Sequence, residues 1–218
     1  MPKTATKRTP SKAAARPPAL PDKPETGSGA LQVRADVIAA ATKVFSERGY
    51  HAASMTEIAN VLGIRKPSLY HHVRKKEDLL FAIHEQMIDE LIDETMTVFS
   101  SSSSPSEKVA GALRVAMSFV GRHRDGVTVF LAEHRAVTGQ RWNELVLKRD
   151  FYEQMVHRII SEGTAQGTFV DVPPSVAAKA VLAMANWGYT WFDPDGPLTA
   201  EEVADTFATI ALRGLEVR

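Results

Sequence analysis

No cysteine occurs in the 218 residues. That removes a disulfide framework, a thiolate zinc site and a cysteine nucleophile, and leaves any metal to histidines and carboxylates. A run of about 18 consecutive apolar residues is missing too, which argues against a membrane-spanning helix. The start of the chain lacks the apolar stretch of a secretory signal, so export is not indicated and the cytoplasm is the expected location. Net charge is likewise absent, with 26 Lys and Arg against 26 Asp and Glu. The balance hides a division: residues up to Asp78 hold 14 basic against 7 acidic side chains, and those beyond it 12 against 19. A basic first part suits a polyanion such as DNA, which the acidic remainder would repel. What the chain does have is 44% hydrophobic residues, enough at this length to bury the core of one large helical domain or two small ones.

Residues 1–30 are rich in Pro, Ala, Lys and Thr, with Leu20 the one large aliphatic side chain after Met1, so a disordered basic arm is expected there. From Leu31, the residues Val37, Ile38, Ala41, Val44 and Phe45 recur at helical spacing, and Gly49 supplies a C-terminal cap after Arg48. Ser54 and Glu57 form the S-x-x-E pattern of a capping box, so a second helix begins at Met55. Gly63 follows closely and permits a tight turn, after which a third short helix is predicted over 66–72 with Pro67 in its first turn. Beyond Arg74-Lys75-Lys76, Glu77 and Asp78 open a longer helix carrying Leu80, Ile83, Met87 and Leu91, which Ser100 to Ser104 and Pro105 end. Further helices are predicted at 106–123, 126–137, 141–165, 174–192 and 199–215. No alternating strand pattern competes, so the expected class is all-α with about nine helices.

A short helix, a glycine turn and a second short helix make a helix-turn-helix, in which the second helix lays its first side chains in the major groove. Ile58, Ala59, Leu62, Ile64 and Leu69 are placed to fix the angle between the two. The segment Met55 to Val73 resembles the DNA-binding signature of the TetR family, and Lys75-Lys76-Glu77-Asp78-Leu79-Leu80 continues the match. Two departures are visible: Arg65 stands where the family commonly has a capping Ser, and Val73 where Phe is usual. The resemblance implies a helix-turn-helix DNA-binding domain over 31–78 and a ligand-binding and dimerisation domain over 79–218. It also implies repression relieved by a small molecule, in a dimer on a pseudo-palindromic operator. Carried onto this chain, it makes Arg65, Lys66, Ser68 and His71 candidates for base edges or nearby phosphates, and Thr56, Tyr70, His72 and Lys76 candidates for phosphates. Arg65 is the expected base reader, because a guanidinium can pair with guanine O6 and N7 together.

The stretch from Asn186-Trp187-Gly188-Tyr189-Thr190-Trp191-Phe192 to Thr199 is similar to a TetR subgroup of actinobacterial regulators of fatty-acid and steroid-ring catabolism, often governed by acyl-CoA thioesters. Members often carry Arg where this chain has Thr190 and Asp193. The resemblance therefore implies a hydrophobic acyl effector, with no cofactor. Bulky wall candidates for its pocket are Met117, Phe130, Trp142, Phe151, Tyr152 and Met155, with Trp187 beside them. Arg122, along with Arg124, Arg135, Arg141 and Arg149, could hold an anionic part. For the dimer interface, two apolar stripes at helical spacing are available: Val181, Met184, Gly188 and Trp191 on one helix, and Val203, Phe207, Ile210 and Gly214 on the next.

A sensor of lipophilic drugs controlling efflux is an alternative within the same architecture. An enzyme would need other material: Glu133-His134 with His123 or His157 could in principle form a His/carboxylate metal site, but the spacing lacks H-E-x-x-H, and neither a nucleophile elbow nor a phosphate-binding glycine loop is present. No catalytic or metal-binding residue is therefore assigned.

Overall fold

The computed structural model describes Asp22 and residues 33–217; apart from Asp22, the predicted basic arm lies outside the described residues, as does Leu31. Nine α-helices follow one another: α1 Ala35–Arg48, α2 Met55–Val61, α3 Lys66–Leu69, α4 Lys76–Phe99, α5 Pro105–Arg122, α6 Arg124–Ala132, α7 Gly139–Ala165, α8 Pro174–Asn186 and α9 Ala200–Leu215. The class is all-α, as expected. An isolated antiparallel bridge between Phe169 and Glu216 is the one strand-like pairing among the described residues, and it ties the α7–α8 connection to the end of α9.

The local signals explain most boundaries. Ser54 accepts from the Glu57 N–H at 3.2 Å while the Glu57 carboxylate accepts from the Ser54 N–H at 2.8 Å, so two orphan donors at the start of α2 are satisfied reciprocally. Ser104 with Glu107 and Thr199 with Glu202 repeat the device at α5 and α9. Between α2 and α3, Gly63 takes φ 67°, a conformation that other residues rarely adopt, and the Ile64 N–H then reaches back to the Ala59 carbonyl at 3.0 Å.

Three helices end well short of their predicted limits. α3 stops at Leu69, and residues 70–72 continue as turns, in which the His72 N–H bonds the Leu69 carbonyl at 2.9 Å in a tighter, three-residue repeat. The helix expected over 174–192 ends at Asn186 and tightens into a 310 turn, Trp187–Thr190, with the N–H groups of Trp191 and Phe192 both on the Gly188 carbonyl. α6 begins two residues earlier than predicted and ends at Ala132, before a second 310 turn, His134–Ala136.

α5 runs through the middle of the second part, packed on α9, α4, α7 and α8. Its inner face, with Leu113 and Met117, meets Ile83, Ile88 and Ile92 of α4 and Met155 and Ile159 of α7 in one continuous core, all of them fully buried. Burial of each such side chain contributes about 1.5–3 kcal/mol. Gly163 of α7 belongs to this packing for a steric reason: a Cβ there would stand 2.2 Å from the Phe169 ring. α1 lies against α2 on one side and against α4 and α6 on the other, so the helix-turn-helix is seated directly on the larger helical body.

Two sets of buried charges fasten α4 to α7. Lys148 is 2% exposed and donates to Glu85 at 3.1 Å and Asp89 at 2.8 Å. Asp78, 3% exposed, accepts from the Arg141 guanidinium at 2.7 Å and from the backbone N–H groups of Lys75 at 2.9 Å and Arg74 at 3.1 Å. Burial works against the Asp78 charge, but these donors outweigh it and hold the carboxyl below its ordinary pKa.

Candidate nucleic-acid interface and effector cavity

The apolar side of the helix-turn-helix is closed: Ile58, Ala59 and Leu69 are buried against α1, while Leu62 and Ile64 are half-buried. Its other side is polar and open. Arg65, Lys66, Ser68, Tyr70 and His71 are exposed on and just after α3, Thr56 is exposed in the first turn of α2, and His72 is half-buried. Arg65 is the N-cap residue of α3, and its guanidinium, which has donors but no acceptor, makes no cap there. The exposed Arg74 and Lys75 extend the cationic surface toward α4. Seven of the eight residues assigned to DNA from the sequence are thus exposed or half-buried.

Lys76 is placed differently. Its ammonium donates to the carbonyls of Tyr50 at 2.6 Å, Ala53 at 2.9 Å and His51 at 3.3 Å, and lies 4.4 Å from the Tyr50 ring centroid. A lysine has three N–H donors, and all three are engaged, so here the side chain joins α4 to the α1–α2 turn. The same turn is held from α6, where Glu133 accepts from the Tyr50 N–H at 3.0 Å. Burial, with Glu77 and Glu133 nearby, pushes the Tyr50 phenol up to about 12, so it stays protonated. Neither role was visible in the sequence, since both depend on partners more than 20 residues away.

Among the larger helices, a cavity of about 270 Å³ lies between α4, α6, α7 and α8. Phe130, Trp142 and Tyr152 line it with Ile88, Leu91 and Leu182, and Arg149, Asp150 and Glu153 add polar groups. Leu131 and Asn186 are shared with an open recess of about 520 Å³ formed with Ala183, Trp187 and Tyr189. Of the other wall candidates, Met117, Phe151 and Met155 are core residues that line neither space. Arg122 belongs to a separate cleft of about 400 Å³ beside α1, and its guanidinium is paired with Glu94.

The residues assigned to a dimer interface divide in two. Val181, Gly188 and Val203 are buried within the subunit, and Met184 is half-buried. Trp191 and Ile210 are exposed, Phe207 is half-buried, and Gly214 faces open space. The outward row of α8 is instead Val176, Ala180, Ala183 and Trp187, all exposed, beside Phe207, Ile210, Gly214 and Val217 at the end of the chain. Trp191 packs edge-to-face on Phe207, with ring centroids 6.2 Å apart, and bridges the two helices.

The histidines considered for a metal are spread apart. His134 binds the Leu131 carbonyl at 2.9 Å and stacks on Trp142, while His123 lies on Phe119 with its Nε2 2.9 Å from Glu90. Among the described residues no three His, Asp or Glu side chains come together in a way that could hold an ion.

The helix-turn-helix and its surroundings, residues 37–83, match the model for bacterial regulatory proteins of the tetR family, and residues 102–215 match the tetracyclin repressor-like C-terminal domain. This chain belongs to the TetR family. Among its relatives is the HTH-type transcriptional repressor KstR2 of Mycolicibacterium smegmatis, 26% identical over 194 residues, covering 88% of this chain and 95% of that protein. Among solved structures, AibR in complex with isovaleryl coenzyme A and operator DNA shares 31% identity at a TM-score of 0.74, over 80% of this chain and 95% of AibR. PfmR, a TetR family transcriptional regulator from Thermus thermophilus, shares 31% identity at a TM-score of 0.78, over 83% of this chain and 99% of PfmR. As a TetR-family member the chain is a transcriptional regulator and not an enzyme. No helix of the described residues is long and apolar enough to cross a membrane.

Proposed function

We propose that this TetR-family protein is a homodimeric repressor that holds a pseudo-palindromic operator through α2 and α3 and releases it when a small acyl compound, an acyl-CoA thioester, enters the cavity between α4, α6, α7 and α8. The observation that carries the reading is the open row Arg65, Lys66, Ser68, Tyr70 and His71, presented by a helix pair whose apolar side is fully occupied. Arg65 reads a base edge, while the hydroxyls and histidines position the protein on phosphates. One helix this short reads few base pairs, so a second copy about 34–36 Å away completes the site. The exposed stripe from Val176 to Trp187, with Ile210 and Val217, supplies the apolar face that a second copy buries in a four-helix contact.

The domain division falls at the start of α4, and the Asp78–Arg141 pair is the joint. Asp78 caps α4 next to the DNA-reading unit, and Arg141 sits one residue before Trp142 in the cavity wall. A ligand that displaces α7 therefore acts on α4 through a short, buried ion pair, and changes the separation of the two reading helices. The acyl assignment draws on the bound thioester of AibR and on the predominantly apolar walls. The expected setting is the cytoplasm.

The test begins with a randomised-operator selection, followed by a gel-shift titration with short and long acyl-CoA thioesters, free acids and cationic lipophilic drugs. Release by a thioester is the expected result; release by the drugs alone would reject the effector class. Light scattering should show a dimer that Ile210→Glu or Trp187→Glu converts to monomer, and a native monomer with full DNA affinity would reject the interface.

A further inference from the structure

Four arginines of the regulatory helices are spoken for. Arg141 is paired with Asp78, Arg122 with Glu94 and Arg114 with Asp205, and Arg124 has Asp193 at 3.9 Å. Arg149 differs from all of these. It is half-buried in the cavity wall, its guanidinium lies 5.5 Å from the Phe130 ring centroid, and among the described residues no carboxylate makes an ion pair with it. Asp150, its neighbour in sequence, is exposed and helps only at a distance. Burial accordingly pulls the Arg149 pKa below its ordinary value. Arg149 is also the one cation among the residues lining this cavity; the remaining wall includes Ile88, Leu91, Phe130, Trp142 and Leu182. The nearest counter-charge to Arg149 in the wall is the exposed Asp150 carboxylate, with Glu153 beyond it paired to Lys179, so the half-buried guanidinium keeps N–H donors that can grip a ligand carboxylate through two parallel hydrogen bonds.

Size narrows the ligand further. At about 270 Å³ the cavity falls just below the range of about 300–1,000 Å³ usual for ligand pockets, which suits a short acyl group.

We propose that this cavity takes a short acyl group that carries its own carboxylate, and that this carboxylate docks on the Arg149 guanidinium. The inference rests on the reading that the cavity is the effector site, and specifies which acyl group it selects. The full-length protein is titrated by calorimetry with succinyl-CoA and glutaryl-CoA, their uncharged counterparts butyryl-CoA and isovaleryl-CoA, palmitoyl-CoA, and free glutarate. The carboxylated thioesters should bind about 10- to 100-fold more tightly than the uncharged ones, the range for a hydrogen bond to a charged group. Arg149→Gln should erase that preference while Arg149→Lys keeps part of it, and circular dichroism confirms that both variants fold. Palmitoyl-CoA should bind weakly, and Leu182→Ala should improve it by enlarging the cavity.

Equal affinity for charged and uncharged short thioesters, or a preference that survives Arg149→Gln, overturns the carboxylate assignment and leaves the acyl-CoA reading intact. Arg149-dependent binding of free glutarate with no response to any thioester does the reverse. Failure of every probe to bind overturns both.

Discussion

The two parts of this molecule keep their polar chemistry in opposite places. In the helix-turn-helix the apolar side chains face inward, and Arg65, Lys66, Tyr70 and His71 stand in solvent, unpaired with one another. In the regulatory helices, Lys148 and Asp78 are buried in ion pairs, Arg149 is half-buried, and His84 is sealed beside Phe130 with its Nδ1 on the Leu80 carbonyl. Polar groups in the first part are free to meet a partner without disturbing the fold. Those in the second are part of the fold, so whatever changes their partners changes the packing of α4 on α7. That is the physical difference on which the proposed binding surface and the proposed switch rest.

The largest test of this contrast is Lys148→Ala. It would strand the Glu85 and Asp89 carboxylates against each other, and should cost about 3–5 kcal/mol in urea unfolding. A loss below about 1 kcal/mol would mean that these charges are effectively solvated.

Acid should come next. Burial, with the Arg149 charge nearby, lowers the His84 pKa to about 4, so an unfolded chain takes up a proton that the folded one refuses. The stabilising contribution is complete above the unfolded value of about 6.5 and is lost as pH falls through about 4, on the order of 3 kcal/mol in all. His84→Phe should flatten stability over that window. The depressed Asp78 carboxyl contributes with the same sign at lower pH, so its share is lost only as the medium becomes more acidic than an ordinary aspartate pKa. An unchanged pH profile in His84→Phe would show that the ring is hydrated.

On the exposed side, Arg65→Ala should leave the melting temperature unchanged yet cost about 1–3 kcal/mol in operator binding, with relaxed base preference in a selection. An identical selected motif would remove Arg65 as a base reader. Smallest, and placed at the border between the two parts, is Lys76→Ala. Its ammonium holds three carbonyls, so the loss should be about 1 kcal/mol of stability, with an unchanged salt slope of DNA binding. A reduced salt slope would return Lys76 to the phosphates.

This contrast also decides what the sequence could disclose. The helix-turn-helix was legible almost residue by residue, because the Ser54–Glu57 capping box, Gly63 and Pro67 each carry their own local mechanism. α8 shows the opposite case. Val181, Met184 and Gly188 form one apolar row, and Val176, Ala180, Ala183 and Trp187 form another a short rotation away. Both rows satisfy helical periodicity, so spacing alone cannot say which meets α5 and which meets solvent; only packing decides. Met117 and Phe130 illustrate the same limit within the core, since a cavity wall and a filled interior draw on the same residue types. Arg149 could be listed among five arginines but not singled out, because what marks it is its place in the cavity wall.

At 1.5 Å per residue, the 24 residues of α4 make a rod about 36 Å long, from the half-buried Phe99 at its far end to Lys76 at the edge of the reading unit. A rod of that length is a lever arm: pivoting by about 5° near Phe99 carries the Lys76 end through about 3 Å. The rise between base pairs is about 3.4 Å. Two such arms swinging apart in a symmetric pair would put the reading helices out of step with the groove by nearly two base pairs. No side chain on α3 would need to move relative to its neighbours, and the gearing would come from the length of one helix.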